Sequence, residues 1–195
     1  SNHKKHIKEI LNWKSQKNLA IEIHPSIDGG ITLGTSDFSG GTLTCHYTEA
    51  PAIVQITTRT AHNHICGCKK AGNPTVPFSR KLQWLAQDHV KVIENSDKLD
   101  VIDTEAAIQR HACKHCAVHM YGRIEITGHP FSGLDFIHSE LSDEKAWPAV
   151  EFAAFVSSII EAGTNPRDMD AIRSRLTALG IPAYDCLSPA LMDAI

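Results

Sequence analysis

The sequence predicts a mainly β protein closed by C-terminal helices, an α+β chain in which the strands come first. Two patterns and one compositional fact predict this. Between about residues 40 and 138, short runs rich in β-branched residues recur at close spacing with turn residues between them. Beyond residue 148 the apolar period lengthens to that of helices. With 42% hydrophobic and 21% charged residues over 195 positions, the composition is that of a chain with a core and not of a disordered tail. One domain is the default at this length.

In chain order, residues 1–20 carry Lys4, Lys5, Lys8, Lys14 and Lys17 around Ile7, Ile10, Leu11 and Leu19. That spacing fits one helix face, and we read it as an N-terminal extension ahead of a single domain at 21–195. Glu9 and the preference for Lys over Arg argue against an organelle-targeting segment. Residues 53–58, 90–93, 99–102, 119–126 and 134–137 read as short strands of a small antiparallel sheet structure. Residues 149–160 read as a helix, with Pro148 suited to its first turn and Gly163 to its exit. A second helix follows Asn165-Pro166, where Asn caps and Pro starts, with Met169, Ile172, Leu176 and Leu179 on one face before Gly180 ends it.

Nineteen Lys and Arg stand against 22 Asp and Glu, a formal charge of −3, and aromatic residues make up 6%. That balance disfavours a phosphate-backbone binder or a zinc-ribbon nucleic-acid module, which would show a basic surplus or stripe. No apolar run approaches the roughly 18 residues of a membrane span, and the N-terminus lacks the apolar stretch of a secretory signal. The expectation is a soluble cytoplasmic protein with no nucleic-acid or membrane partner. In a reducing compartment the six cysteines read as metal ligands or redox centres before they read as disulfide staples.

Cys113-Lys114-His115-Cys116 has the C-x2-C spacing in which a tight turn lets two thiolates reach one ion. A closed site needs four ligands, and the upstream thiols are Cys45, Cys66 and Cys68. A pair of buried thiols or a redox motif remains the alternative, although a thioredoxin-like motif wants a βαβ context. A denser cluster runs His62-Asn63-His64-Ile65-Cys66-Gly67-Cys68. If extended, it puts His62, His64, Cys66 and Cys68 on one face, roughly 6.6 Å apart along the strand, too far for shared coordination unless Gly67 permits a bend. An ion held here has ordinary reach to Cys66 and Cys68, and His62 and His64 read equally well as locally hydrogen-bonded strand residues. Asp135 and His138 are candidates for acid and base, or for partners that support a site from behind. Arg110 and Arg123 are candidates for gripping a substrate carboxylate, or for salt bridges. Cys186 reads as a buried small hydrophobe.

Gly40-Gly41-Thr42-Leu43, His62-Asn63-His64 with Cys66-Gly67-Cys68, Gln109-Arg110-His111 with Cys113 and Cys116, and His119-Met120-Tyr121-Gly122-Arg123-Ile124-Glu125 together resemble the glutathione-dependent formaldehyde-activating enzymes. These are also called S-(hydroxymethyl)glutathione synthases. The likeness continues through Gly133-Leu134-Asp135-Phe136, Glu140-Leu141-Ser142-Asp143 and Glu151-Phe152-Ala153-Ala154-Phe155, and covers nearly the whole chain from Ile23 to Ile195.

The resemblance implies a Mss4-like zinc-binding β fold with up to two zinc ions. The family's structural zinc takes a C-x-C, falling here on Cys45 and position 47, and a C-x2-C, falling on Cys113 and Cys116. Its catalytic zinc takes C-x-C-x2-C, falling on Cys66, Cys68 and position 71. Here position 47 is Tyr47, whose phenol titrates near 10 and is a poor ligand at neutral pH, and position 71 is Ala71, which offers no donor. His46 points to the opposite face from position 47 in a regular strand. His62 and His64 stand as candidate substitutes at the second site. The implied activity is that of a carbon–sulfur lyase that joins glutathione to formaldehyde through Cys66 and Cys68. The two departures predict a weakened or absent catalytic metal. The rival expectation is a non-catalytic carrier or sensor that keeps the fold and binds glutathione.

Overall fold

The computed structural model describes Lys8 and residues 21–69, 78 and 80–194. The helix expected over 1–20 and the altered loop around Ala71 fall outside the described residues, Lys8 excepted. What is described is mainly β with short C-terminal helices, and it contains two sheets. The smaller has the order β1 (Thr42–Thr44), β2 (Ile53–Ile56), β5 (Val90–Glu94). The larger has seven strands in the order β10 (Phe152–Ala154), β3 (Ala61–Cys66), β4 (Arg80–Ala86), β9 (Leu134–His138), β8 (His119–Arg123), β7 (Gln109–Cys113), β6 (Leu99–Val101). All pairings are antiparallel except β10 with β3.

Side-chain alternation along the central strands splits the interior into layers. Leu85 of β4 and Ile137 of β9 point toward the smaller sheet, where they pack with Leu43, Val54, Ile56, Val90 and Met120. Trp84 and Phe136, one position earlier on each strand, point the other way and pack with Cys66, Phe152 and Leu191. Ile65 of β3 and Ala153 of β10 face a third layer built from Ile23, Ile27, Val156, Ile159, Ile172, Leu176 and Ile181. The expected helix after Asn165 forms as read. Asn165 accepts from the Arg167 N–H, and a 3-10 turn at Pro166–Asp168 leads into the α-helix Met169–Ala178, with Ile172 and Leu176 buried.

The strand expectations hold with shifted ends, β5 and β9 running one residue longer and β2, β6 and β8 stopping short. The run begun at His119 stops at Arg123, and β1, β3, β4, β7 and β10 join those read in advance. The helix expected over 149–160 does not form. Phe152–Ala154 is a strand, fully buried, with Phe152 opposite His64 and Ala154 opposite Cys66. On its other side Ala153 donates to the Pro182 carbonyl at 2.8 Å, and Tyr184 donates to Ala153 at 2.9 Å. Being paired on both edges and covered on both faces, the segment is claimed by tertiary structure against its local helix propensity. Phe155 then turns left-handed at φ 52°, and Val156–Ile160 winds as a 3-10 helix.

Gly122 of β8 sits opposite Phe136, and a Cβ there would stand 2.1 Å from the Phe136 ring. The ring lies over the glycine and reaches the layer of Trp84 and Cys66. Gly122→Ala is therefore expected to displace Phe136 and to destabilise the fold by about 1–3 kcal/mol, the usual cost of overpacking a core. Chemical denaturation of the two proteins checks this, and an unchanged midpoint would refute it.

Candidate thiol and metal sites

Cys45 follows β1 in the smaller sheet, while Cys113 ends β7 and Cys116 lies in the turn to β8 in the larger. That turn is fixed by Cys113 donating to Val118 at 2.9 Å and Ala117 donating to Cys113 at 2.8 Å, with Ala117 at φ 60°. The three thiols converge, their sulfurs lying within 4.8 Å of one another. Cys45 and Cys113 are buried and Cys116 is half-buried. Burial raises the Cys45 thiol. Burial works the same way on Cys113, but the N–H groups of Cys116 and His115 favour its anion and bring it below the ordinary thiol value. A set of buried soft donors of this kind fits a thiophilic ion such as zinc. Tyr47 does not join it. Its hydroxyl donates to Glu49 at 2.7 Å, and its ring is stacked on His115 with centroids 4.2 Å apart. His46 is exposed and also stays outside the group.

Cys66 and Cys68 lie where β3 runs out. The Cys68 N–H reaches the Cys66 sulfur at 3.4 Å, and the two thiols hydrogen-bond to each other. That bond and burial raise the Cys66 thiol well above its ordinary value, against the opposing charge of Arg110. Gly67 between them makes a close approach possible. Its N–H donates to Ala154, and a Cβ there would meet the Phe155 carbonyl oxygen at 2.4 Å. The Arg110 guanidinium lies 5.9 Å from the centroid of the Phe136 ring, and its charge acts on both thiols. Its Nε is buried without a hydrogen-bond partner among the described residues.

The expectation that His62, His64, Cys66 and Cys68 share a face is not met. The register shifts between Ala61 and His64, and His62 adopts φ 52°, so the alternation breaks at the first histidine. His64 is buried, stacked on Phe152, and donates from Nδ1 to the His62 carbonyl at 2.8 Å. Neither histidine stands with the two thiols as a metal-ligand group among the described residues. With two thiols and no third donor among the described residues, Cys66 and Cys68 do not fit the catalytic zinc that the resemblance implied.

No family model matches the chain. A curated protein from Fusarium vanettenii, provisionally named a glutathione-dependent formaldehyde-activating enzyme, is 49% identical over 177 residues, which is 91% of this chain and 95% of its own length. A protein from Penicillium rubens with the same name is 50% identical over 177 residues, 91% of this chain and 92% of its own length. The chain belongs to the glutathione-dependent formaldehyde-activating enzyme family. A crystal structure of a Rhodobacter sphaeroides protein superposes with a TM-score of 0.40 at 14% identity, covering 73% of this chain and 98% of that one, a likeness too loose to bear on function.

Within this family member the remaining candidates are structural or set apart. Arg123 holds the buried Asp135 with two nitrogens, at 2.6 and 2.9 Å, which is the salt-bridge alternative the sequence offered for Arg123. His138 is buried and stands 3.4 Å from Glu140, away from Asp135. Cys186, expected to be buried, is exposed and donates to the Leu187 carbonyl at 3.2 Å. Its backbone is used instead, with the Cys186 carbonyl accepting from Phe155 at 3.3 Å. A cavity of about 470 Å³ opens between the 24–32 and 139–150 segments and is lined by His24, Glu140 and Trp147, with none of the thiols in its wall. The sequence reading missed Glu49 and His115, which immobilise Tyr47. Their closeness to Cys45 and Cys116 in the chain was the available signal.

Burial holds His64 neutral and lowers its pKa to about 4. A histidine near 6.5 when unfolded takes up a proton before the folded one does, so this site favours unfolding as pH falls. Its stabilisation is complete above about pH 6.5 and is lost progressively toward pH 4, by up to about 3 kcal/mol. Denaturant midpoints at pH 7 and pH 5 are expected to differ less in His64→Phe than in the parent. Equal differences would sink this assignment.

Proposed function

We propose that the protein promotes the addition of glutathione to formaldehyde, giving S-hydroxymethylglutathione, and so acts in formaldehyde detoxification as a carbon–sulfur lyase. The observation that carries this reading is the Cys66–Cys68 pair beside Arg110, in a chain half identical to relatives named for glutathione and formaldehyde. In the reaction the thiol sulfur bonds to the formaldehyde carbon, the C=O π pair moves to oxygen, and the proton lost by the thiol ends on that oxygen. Each side of the step gathers negative charge, first on sulfur and then on oxygen. Arg110 supplies a fixed positive charge at the thiols, and preorganised charge of this kind stabilises such a build-up.

Cys45, Cys113 and Cys116 would hold zinc, which there supplies a cross-link between the two sheets in a Mss4-like arrangement. No metal step is assigned to Cys66 and Cys68, because two thiols do not make a zinc site.

Exchange NMR at equilibrium, following the interconversion of glutathione and S-hydroxymethylglutathione with and without the protein, tests the reading. The protein is expected to speed exchange above the spontaneous rate, and Arg110→Met to reduce that gain on the order of tenfold or more. No gain over the spontaneous rate, with or without added zinc, would end the enzyme reading. Glutathione binding without a gain would favour a carrier or sensor.

A further inference from the structure

Four soft donors close a structural zinc site, whereas three leave a position for something else. Cys45, Cys113 and Cys116 supply three, and no other cysteine, histidine or carboxylate among the described residues joins them. Tyr47, two positions after Cys45, packs against the same cluster but is held twice away from the set. Its hydroxyl is committed to Glu49, and its ring lies flat on His115 with planes only 10° apart. His115 itself belongs to the turn that carries Cys113 and Cys116, so the stack fixes Tyr47 to the rim of the site and not to its centre. The exposure is graded across the group. Cys45 and Cys113 are buried, Cys116 and Tyr47 are half-buried, and His115 is exposed. The incomplete side therefore faces the surface.

We propose that Cys45, Cys113 and Cys116 form a three-thiolate metal site whose fourth position is kept open by the Tyr47–His115 stack and accepts an external small-molecule thiolate. This goes beyond the proposed function by naming a second thiol-binding position, in a different layer from Cys66 and Cys68, and it rests on that reading only for the choice of glutathione as the probe. The exchange is balanced. The incoming thiol gives its proton to solvent, its sulfur bonds to the metal, and the water it replaces leaves. Zinc or another thiophilic divalent ion suits the donor set, because thiolate ligands select soft or borderline metals.

Cobalt(II) reports its own ligands by the intensity of sulfur-to-metal charge transfer. The test uses the full chain as a Cys66→Ser, Cys68→Ser double variant, which confines cobalt to the three-thiolate site, with circular dichroism checking its fold and the parent protein titrated in parallel. One cobalt per chain is expected, and glutathione is expected to raise the charge-transfer intensity by about one third, the step from three thiolates to four. S-methylglutathione, which has no free thiol, should leave the spectrum unchanged. Tyr47→Cys should show the higher intensity at once and ignore glutathione. A cobalt spectrum indifferent to glutathione in both the double variant and the parent would overturn the proposal, as would an equal response to S-methylglutathione. The readout is independent of turnover: a spectral response without faster formaldehyde exchange removes the synthase reading alone, and the reverse result removes this inference alone.

Discussion

The convergence of Cys45 with Cys113 and Cys116 is the constraint around which the molecule is arranged. One thiol comes from the end of a strand in the smaller sheet, and two come from a hairpin turn in the larger. For three sulfurs to lie within 4.8 Å, the two sheets must pack in one relative position. The apolar layer of Leu43, Val54, Leu85, Met120 and Ile137 fills the space so defined. Satisfying the buried backbone follows the same logic, since the Ala52 N–H reaches the Cys45 sulfur at 3.2 Å.

The second thiol pair depends on a different edge of the same sheet. Cys66 is the last residue of β3, and it points into the layer of Trp84, Phe136 and Phe152. Arg110, two strands beyond β9, shares that side through Phe136, whose ring crosses Gly122 to reach it. A cation, an aromatic ring and two thiols thus meet because three strands alternate in phase. The Arg123–Asp135 pair, fixed across β8 and β9 in direct register, holds that phase. Removing Arg123 would leave the buried Asp135 carboxylate without its countercharge, a cost of about 3–5 kcal/mol.

Much of this was legible in the sequence. Branched residues and turn punctuation located β2, β5, β6, β8 and β9, and the capped apolar face located the helix at Met169–Ala178. The C-x2-C spacing placed Cys113 and Cys116 on one turn, and the family resemblance, not the spacing, singled out Cys45 from the three upstream thiols as their partner. Residues 149–160 misled because Ala and Phe at helical spacing carry no sign of a partner strand, and β3 supplies one from far upstream. His62 misled for a local reason, since a bulge at a left-handed residue cancels the alternation from which a shared face was inferred. Cys186 misled because burial was read from residue type, while its backbone, not its thiol, is what the fold uses. The Arg110 environment was beyond any local signal, because it depends on which strands become neighbours.

The edge of β3 has a consequence for how the chain comes into being. Its partner β10 and the Pro148 carbonyl that accepts from Asn63 lie late in the sequence, with Asn63 and Pro148 85 residues apart. Until that segment has been synthesised, β3 is a sheet edge bearing a thiol pair, open to pairing with another chain and to oxidation. Long-range closures of this kind are slow, because the chain must be ordered before the contact rewards it. The nascent protein therefore passes through an interval in which this strand edge is uncovered, and the last third of the polypeptide acts as an internal shield that arrives after the edge it covers.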